Sequence, residues 1–284
     1  MSAPWIFVCP TSRGIGHALT RRLLQTTTLP VLAATRSTDP LGAKEALLRG
    51  IPQPEDVAPR LSMVQCDVTD EASIAAAAAR AAELFPRTSH HLHLACAMPG
   101  VLHPEKKPAH IDAGNCLETF RVNAIGPLLL IKHFSELLPT RNTELRPIPE
   151  PQKEEEEEEE EGGGERVRLP AHATWLNMSA RVGSIGDNRT GGWYSYRASK
   201  TAMSSLTRSF DIFLRARSAD KALAVAYHPG TVKTDLSRDF WKGVAPEKLF
   251  SPDFAAHRLL EVVSGLQTDQ RGRCWDWEGK EVPP

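Results

Sequence analysis

Near its beginning the chain reads Trp5-Ile-Phe-Val-Cys-Pro-Thr11-Ser-Arg-Gly-Ile-Gly16-His-Ala-Leu-Thr-Arg-Arg-Leu-Leu24. Residues 5–9 form a short apolar run of β-forming types, and after Gly16 the apolar residues recur at helical spacing. This order predicts a strand, a glycine-rich turn and a helix. The free N–H groups of such a helix start suit the pyrophosphate of a dinucleotide, and glycines let the backbone approach it. Glycines also occur in such turns for packing alone, so both interpretations stay open here.

Further apolar runs extend this unit along the chain. They predict strands at 29–34, 61–66, 92–97, 173–179, 223–228 and 272–277, and helical spacing predicts helices at 73–85, 118–138, 196–214 and 253–265. Alternating strands and helices are typical of βαβ units in a mainly parallel sheet with helices on both faces. We therefore predict an α/β fold, a doubly wound Rossmann domain that spans residues 1–284.

The charges are spread unevenly. The 284 residues carry 34 Lys plus Arg and 35 Asp plus Glu, for a formal net charge of −1. Residues 150–165 hold ten glutamates and one lysine, which leaves 33 basic and 25 acidic residues elsewhere. The Pro-, Glu- and Gly-rich stretch 141–169 cannot bury apolar surface, so it predicts a disordered acidic loop inside the domain. It precedes a strand, so we expect it at the amino edge of the sheet, away from any ligand site.

Composition excludes several classes of protein. No apolar run approaches the ~18 residues of a membrane span, and the N-terminus lacks the basic and apolar regions of a signal peptide, so we expect a cytoplasmic chain without a membrane partner. The five cysteines are scattered and none forms a CxxC pair, so neither a disulfide framework nor a zinc site is indicated. The small basic excess outside 150–165 does not indicate nucleic acid as a partner.

Two arginines favour NADP(H) over NAD(H) as the dinucleotide. Arg13 lies in the glycine-rich turn, and Arg36 follows the second predicted strand, where an acidic residue would hold a ribose 2′-hydroxyl. Guanidinium groups bind a 2′-phosphate instead. Asp67 and Val68 follow the third strand and are candidates for the adenine contact, although Asp67 could equally cap a helix.

Tyr196 and Lys200 share one face of a predicted helix, four residues apart. A free tyrosine has a pKa of ~10, and a neighbouring ammonium lowers that pKa. The pair therefore suits protonation of a carbonyl oxygen while hydride reaches the carbon. The spacing is common by chance and does not identify a catalytic pair alone.

Taken together, these motifs resemble those of the short-chain dehydrogenase/reductase family in order and rough spacing. They are Thr11–Gly16, Asp67-Val68, Val122-Asn-Ala-Ile-Gly-Pro127, Asn177-Met-Ser179, Tyr196 to Lys200, and Pro229–Thr234. The stretch Ser179–Lys200 and the ending Trp275–Gly279 resemble a carbonyl-reductase-like branch that includes the bacterial C-factor and insect sniffer proteins. The resemblance covers nearly the whole chain apart from the acidic stretch.

The resemblance implies a reaction and a role for each motif. It implies an NADP(H)-dependent oxidoreductase acting on a small-molecule carbonyl/alcohol pair, with Tyr196 as acid–base, Lys200 beside the nicotinamide ribose and Asn123 holding a water. The implied cofactor-binding residues are Thr11, Ser12, Arg13, Gly14, Ile15, Gly16, Arg36, Asp67, Val68, Asn123, Tyr196, Lys200, Pro229, Gly230 and Thr231. It also implies a mobile substrate-binding segment, 231–240, and a homodimer or homotetramer formed through helices 118–138 and 196–214.

Three segments depart from the family pattern. The glycine-rich turn opens with Cys9-Pro10, and Ala97-Met-Pro-Gly100 stands where the family has polar amides. Ala180 occupies the position of the catalytic serine. Ser179 precedes Ala180 and would face the opposite way on a regular strand, so a local bulge would be needed to direct its hydroxyl into the site. Ser184 in the following loop is the alternative, and we assign the role to Ser179. These departures keep a second function open, a catalytically weak NADP-binding regulatory or scaffold protein.

Other candidates have simpler explanations. His90, His91 and His93 resemble a metal cluster but lack an acidic or cysteine partner at ligand spacing, so we predict no metal site. Four tryptophans could line a substrate pocket or belong to the core, and Trp241 in the predicted mobile segment is the first candidate for substrate contact. These four are Trp193, Trp241, Trp275 and Trp277.

Overall fold

A computed structural model describes residues 1–148 and 167–284. Its main feature is an eight-stranded sheet in the order β10-β9-β6-β5-β4-β1-β2-β3, accompanied by a two-stranded sheet of β7 and β8. The strands are β1 (Ala3–Cys9), β2 (Val31–Thr35), β3 (Leu61–Gln65), β4 (His90–Ala97), β5 (Ala173–Met178), β6 (Ala222–His228), β7 (Thr231–Val232), β8 (Leu249–Phe250), β9 (Cys274–Asp276) and β10 (Glu281–Val282). All pairs are parallel except β9 with β10. The predicted α/β, mainly parallel Rossmann fold is confirmed.

Helices cover both faces of the sheet. They are α1 (Gly14–Thr26), α2 (Pro40–Leu48), α3 (Pro54–Val57), α4 (Glu71–Leu84), α5 (Ala113–Phe120), α6 (Gly126–Phe134), α7 (Tyr194–Ser218) and α8 (Pro252–Gly265). Successive residues of β1 enter different cores, because side chains alternate along a strand. Trp5 and Phe7 pack with residues of α4, α6 and α7, whereas Ile6 and Val8 pack with residues of α1 and α8.

The largest difference from the predicted elements concerns the helix expected at 118–138. A π-helical segment, Arg121–Ile125, separates α5 from α6, so the expected single helix is divided. Helix α2 and the short strands β7, β8 and β10 were not predicted. A start signal for α2 is present in the sequence, since Asp39 caps it through Gly42 N–H and Pro40 is its first residue.

The predicted disordered loop falls largely on residues 149–166, which lie outside the described residues. Its flanks are described and lie at the amino edge of the sheet, as expected. Leu145 forms a parallel bridge with Ser2, just before β1, and Val167 N–H donates to the carbonyl of Thr26, the last residue of α1. Within the described ranges, none of the helices is long and apolar enough to cross a membrane.

Candidate active site

A cavity of about 960 Å³ lies at the carboxyl edge of the sheet. Its wall is built from the segments that follow β1, β2, β3, β4, β5 and β6, together with the first two turns of α7. In a doubly wound sheet, ligands bind beyond this edge, where the strand order reverses between β1 and β4. Most predicted site residues line the cavity: Ser12, Arg13, Gly14, Ile15, Gly16, Arg36, Asp67, Val68, Ser179, Tyr196, Lys200, Pro229, Gly230 and Thr231.

The glycine-rich turn lies directly under the cavity. A Cβ added to Gly16 would lie 1.9 Å from the Pro10 carbonyl oxygen, so only glycine fits there. Gly14 adopts a φ of +59°, in the left-handed region that favours glycine, and begins α1. No acidic residue occupies the first turn of α1 and no side chain caps it. Its N–H groups therefore remain suited to an anion.

Thr11 lies behind the cavity wall rather than in it. Its N–H and its hydroxyl both donate to the Ala34 carbonyl, at 2.9 and 3.0 Å, and the residue is buried. These bonds attach the glycine-rich turn to β2. Thr11 thus fixes the turn, and its predicted contact with the cofactor stays a prediction.

The ends of β1 and β4 stay joined although the family's polar amides are missing. Met98 N–H donates to the Cys9 carbonyl at 2.7 Å. The Met98 methyl lies 3.4 Å from the position of a Cβ on Gly16, so its side chain packs against the glycine-rich turn. A main-chain bond and an apolar contact thus take over part of the connection between these strands.

The two arginines lie at one end of the cavity. Arg13 is largely exposed and donates to Asp235 Oδ2 at 3.2 Å, which connects the glycine-rich turn to the segment after β7. Arg36 is exposed, and its positive charge lowers the pKa of Asp67. Burial opposes ionisation of Asp67, but two 2.8 Å bonds from Thr69 and the charges of Arg36 and Arg121 outweigh it, so the Asp67 pKa is lowered.

Tyr196 and Lys200 occupy the first two turns of α7, and both are buried. The Lys200 ammonium lies 5.7 Å from the centre of the Tyr196 ring and donates to the Met178 carbonyl at 2.9 Å. Burial lowers the Lys200 pKa to about 8, against a smaller opposite effect of Cys274. Burial also raises the Tyr196 pKa above its ordinary value. The predicted lowering of that pKa is therefore wrong for this structure, because desolvation of the phenolate dominates.

Neither candidate serine offers its hydroxyl to the cavity. Ser179 Oγ donates to the Lys200 carbonyl at 3.3 Å, and Ser184 Oγ donates to the Pro284 carbonyl at 3.3 Å, outside the wall. Ala180 lines the cavity and has extended dihedrals, φ −157° and ψ 145°, so no bulge reverses the direction of Ser179. In this structure the Ser179 hydroxyl therefore bonds to the main chain of α7, and its predicted catalytic role stays a prediction.

Asn123 connects the loop after β4 with α7. It is buried in the π-helical segment, accepts from Val101 N–H at 2.8 Å and donates to the Val101 carbonyl at 2.9 Å and to Ser199 Oγ at 3.1 Å. Its side chain does not line the cavity. Single π-helical turns occur often at functional sites. The predicted water held by its main chain stays a prediction.

The wall opposite the glycine-rich turn is apolar and aromatic. The Trp193 ring lies 4.7 Å from Phe240 and 6.1 Å from Tyr196, measured between ring centres. Trp241 is not in this wall, and its Nε1 donates to Ser237 Oγ at 2.8 Å. Trp193 and Phe240 line the cavity and Trp241 does not, while the prediction that Trp241 contacts substrate stays a prediction. Trp275 is buried in the core and Trp277 packs on Phe250.

His91 and His93 lie at the opposite, amino edge of the sheet, in a chain of hydrogen bonds. Ser2 Oγ lies 3.1 Å from His91 Nδ1, His91 Nε2 lies 3.2 Å from His93 Nδ1, and His93 Nε2 donates to the Pro170 carbonyl at 2.9 Å. Burial lowers the pKa of His91 to about 4 and that of His93 to about 3. Both imidazoles are therefore neutral at pH 7, and they bond to each other and to neighbouring groups.

Comparison with known proteins decides the family. The family described as "Enoyl-(Acyl carrier protein) reductase" matches residues 11–144. C-signal of Myxococcus xanthus is 33% identical over 174 residues, which cover 61% of this chain and 81% of C-signal. The chain belongs to the short-chain dehydrogenase/reductase family.

Solved structures share the fold of this chain over its full length. The chain is similar to the NADPH-bound carbonyl reductase from chicken fatty liver, with 26% identity, a TM-score of 0.75 and 100% of both chains covered. It shares the fold of the carbonyl reductase Sniffer of D. melanogaster, with 20% identity, a TM-score of 0.74 and the same coverage. The predicted resemblance to the carbonyl-reductase-like short-chain dehydrogenases/reductases is confirmed.

Proposed function

We propose that this short-chain dehydrogenase/reductase is an NADP(H)-dependent enzyme that interconverts a carbonyl and an alcohol. One observation carries the proposal: Tyr196 and Lys200 line the same cavity as the glycine-rich turn, with an apolar wall beside them. The similarity to an NADPH-bound carbonyl reductase supports both the cofactor and the type of substrate.

The residues around the turn fit the cofactor. Gly16 lets the turn pack directly on the Pro10 carbonyl, where no Cβ fits, and the start of α1 presents N–H groups toward a pyrophosphate. Arg13 and Arg36 supply the positive charge that a 2′-phosphate requires. When bound, NADPH supplies the hydride that reaches the carbonyl carbon.

Tyr196 then moves the proton. Because burial raises its pKa, its hydroxyl is protonated at neutral pH and can donate to the oxygen of a carbonyl substrate. The phenolate that remains lies near the Lys200 ammonium, and that charge stabilises it. The apolar wall around Trp193 excludes water from this step and strengthens the electrostatic interactions inside it.

The test is NADPH consumption with a panel of ketones, quinones and aldehydes. Tyr196→Phe should abolish turnover while NADPH still binds, because only the reacting hydroxyl is removed. Tyr194→Phe is the matched control, since Tyr194 starts the same helix and is exposed. Near-normal turnover in Tyr196→Phe would refute the mechanism.

A second function rests on Ala180. The serine position of the family carries a methyl group and the neighbouring Ser179 hydroxyl bonds to the Lys200 carbonyl, which favours a catalytically weak NADP-binding regulatory or scaffold protein. NADPH binding without turnover of any carbonyl in the panel would support this alternative over the first.

For its partners, we propose a homodimer or homotetramer formed through the helices around 118–138 and 196–214. Several large apolar side chains on these helices are exposed, among them Ile125, Leu128, Ile212 and Phe213. Sedimentation of the wild type against Phe213→Asp tests the interface. An unchanged oligomer in that variant would exclude the α7 part of it.

A further inference from the structure

A buried carboxylate lies at the start of the helix that carries Tyr196. Glu105, in the loop after β4, is only 3% exposed. Its two oxygens lie 3.2 and 3.4 Å from the Ser195 nitrogen, whose N–H donates to them, and the Cys116 thiol lies 3.9 Å away. Burial of a charge without compensating bonds is costly, so a buried glutamate needs such donors. The carboxylate also lies where the dipole of a 25-residue helix favours negative charge.

Glu105 replaces a cap that α7 lacks. Helices usually begin with a Ser, Thr, Asp or Asn whose side chain accepts from the second or third N–H. Here Trp193 precedes the helix, and no local side chain caps it. The Glu105 carboxylate accepts from the second N–H, that of Ser195, across 90 positions of sequence. Tyr196 is the next residue.

The main chain of Glu105 holds the same turn from the other side. Trp193 N–H donates to the Glu105 carbonyl at 2.6 Å, and Trp193 adopts the left-handed φ of +48°. A Cβ on the preceding Gly192 would lie 3.3 Å from that carbonyl oxygen, so the approach is close. Glu105 therefore fixes the backbone of Trp193, whose ring forms the cavity wall against Tyr196 and Phe240.

The other end of the same loop is attached to α7 as well. Asn123 bonds both main-chain groups of Val101 and also Ser199, one turn beyond Tyr196. Val101 and Leu102 line the cavity. The loop is thus connected to the first two turns of α7 on both sides, and the distance between this wall and the tyrosine depends on both attachments.

We propose that Glu105 is a positioning residue for Tyr196. Glu105 caps α7 although it lies in a loop distant in sequence. It thereby fixes the positions of the reacting hydroxyl and the Trp193 ring relative to a substrate bound against Val101 and Leu102. The inference rests on the proposed oxidoreductase function. Because Glu105 does not line the cavity, its loss should lower kcat and leave cofactor binding unchanged. Small misplacement of a reacting group costs on the order of 10- to 100-fold in rate.

The test compares two near-isosteric variants in the full-length protein. Glu105→Met keeps the volume and removes the acceptor, so kcat should fall roughly 10- to 100-fold with the KM for NADPH within about twofold of wild type. Glu105→Gln keeps one oxygen that accepts from Ser195 N–H, so kcat should stay within about threefold. Glu83→Met, on the exposed face of α4, is the control and should match wild type.

If Glu105→Met does not fold, Ser195→Pro tests the same hydrogen bond by removing its donor. Proline is tolerated in the first helical turn and removes the N–H that the carboxylate accepts, so the same loss of kcat is expected. Wild-type kcat in the Met variant, or an equal loss of kcat and NADPH binding in both the Met and the Gln variants, would overturn the positioning role. Absence of turnover in the wild type would instead refute the proposed function, and this inference with it.

Discussion

Ala180→Ser should accelerate the reaction. It adds a hydroxyl to the segment that follows β5, which directs no side-chain hydroxyl into the cavity in the wild type. Ala180 is the second residue beyond that strand, and its extended dihedrals direct its side chain opposite to that of Ser179. The methyl group lines the cavity together with Tyr196. Because the substitution adds a single oxygen at a half-buried position, the fold should accept it.

The magnitude follows from the value of one donor. Loss of a hydrogen-bond donor to a developing oxyanion costs about 2.7–4 kcal/mol in known enzymes. Selection of one of three side-chain rotamers removes about 0.6 kcal/mol of that gain. The same cavity is also lined by Val101, Val182 and Trp193, whose apolar side chains reduce the screening of such a bond. We therefore expect a gain of about 2–3 kcal/mol, which is roughly 30- to 150-fold in kcat.

The assay is steady-state NADPH oxidation with the carbonyl that the wild type reduces fastest. Ser179→Ala is measured beside it, and its kcat should change less than about fivefold, since the Ser179 hydroxyl already donates to the Lys200 carbonyl. A gain below threefold in Ala180→Ser would refute the reasoning. So would a loss of about 100-fold in Ser179→Ala, because Ser179 would then be the donor after all.

Three further predictions concern the cofactor, the core and acid stability. Arg36→Ala should raise the KM for NADPH at least about tenfold and leave that for NADH nearly unchanged, as measured by initial rates with both cofactors. Arg271→Met should lower the free energy of urea unfolding by about 3–5 kcal/mol, because it leaves the buried Asp211 carboxylate without its 3.0 Å partner. The control, Arg80→Met, breaks an exposed ion pair and should lower that free energy by less than about 1 kcal/mol. His93 has a folded pKa of about 3, below its ordinary 6.5, so the unfolded chain binds more protons and stability should fall as pH decreases from about 6.5 toward 3. His93→Gln should flatten that decrease when unfolding free energies are compared across this range, and an equal slope in both proteins would contradict the assignment.

Local sequence patterns predict the fold and the location of the site because both depend on short-range features. Each apolar run that predicts a strand is followed by its polar or glycine-rich segment, and parallel strands bring those segments to one edge. The glycine-rich turn, Arg36, Asp67 and Tyr196 therefore meet in one cavity although up to 185 positions separate them.

Features that depend on tertiary packing could not be predicted in this way. The direction of the Tyr196 pKa shift follows from how deeply α7 is covered, and a four-residue spacing to Lys200 contains no information on burial. The choice between Phe240 and Trp241 depends on the register of a short 3₁₀ helix, Asp235–Gly243. Glu105 caps a helix that begins 89 residues later, and its sequence neighbours, Pro104 and Lys106, give no sign of that contact.

The three departures from the family pattern differ in what replaces the missing groups. At Pro10, the carbonyl still packs on Gly16 and the following residue, Thr11, bonds to β2. At Met98, a main-chain bond to Cys9 keeps β1 and β4 joined. At Ala180, neither Ser179 nor Ser184 directs a hydroxyl into the cavity. Two of the three departures are therefore compensated on the side that would hold the cofactor, and the third falls on the side that would hold the substrate oxygen. The enzyme and the scaffold interpretations should then differ in the rate of the chemical step rather than in NADPH affinity, and single-turnover measurements with prebound NADPH distinguish them most directly.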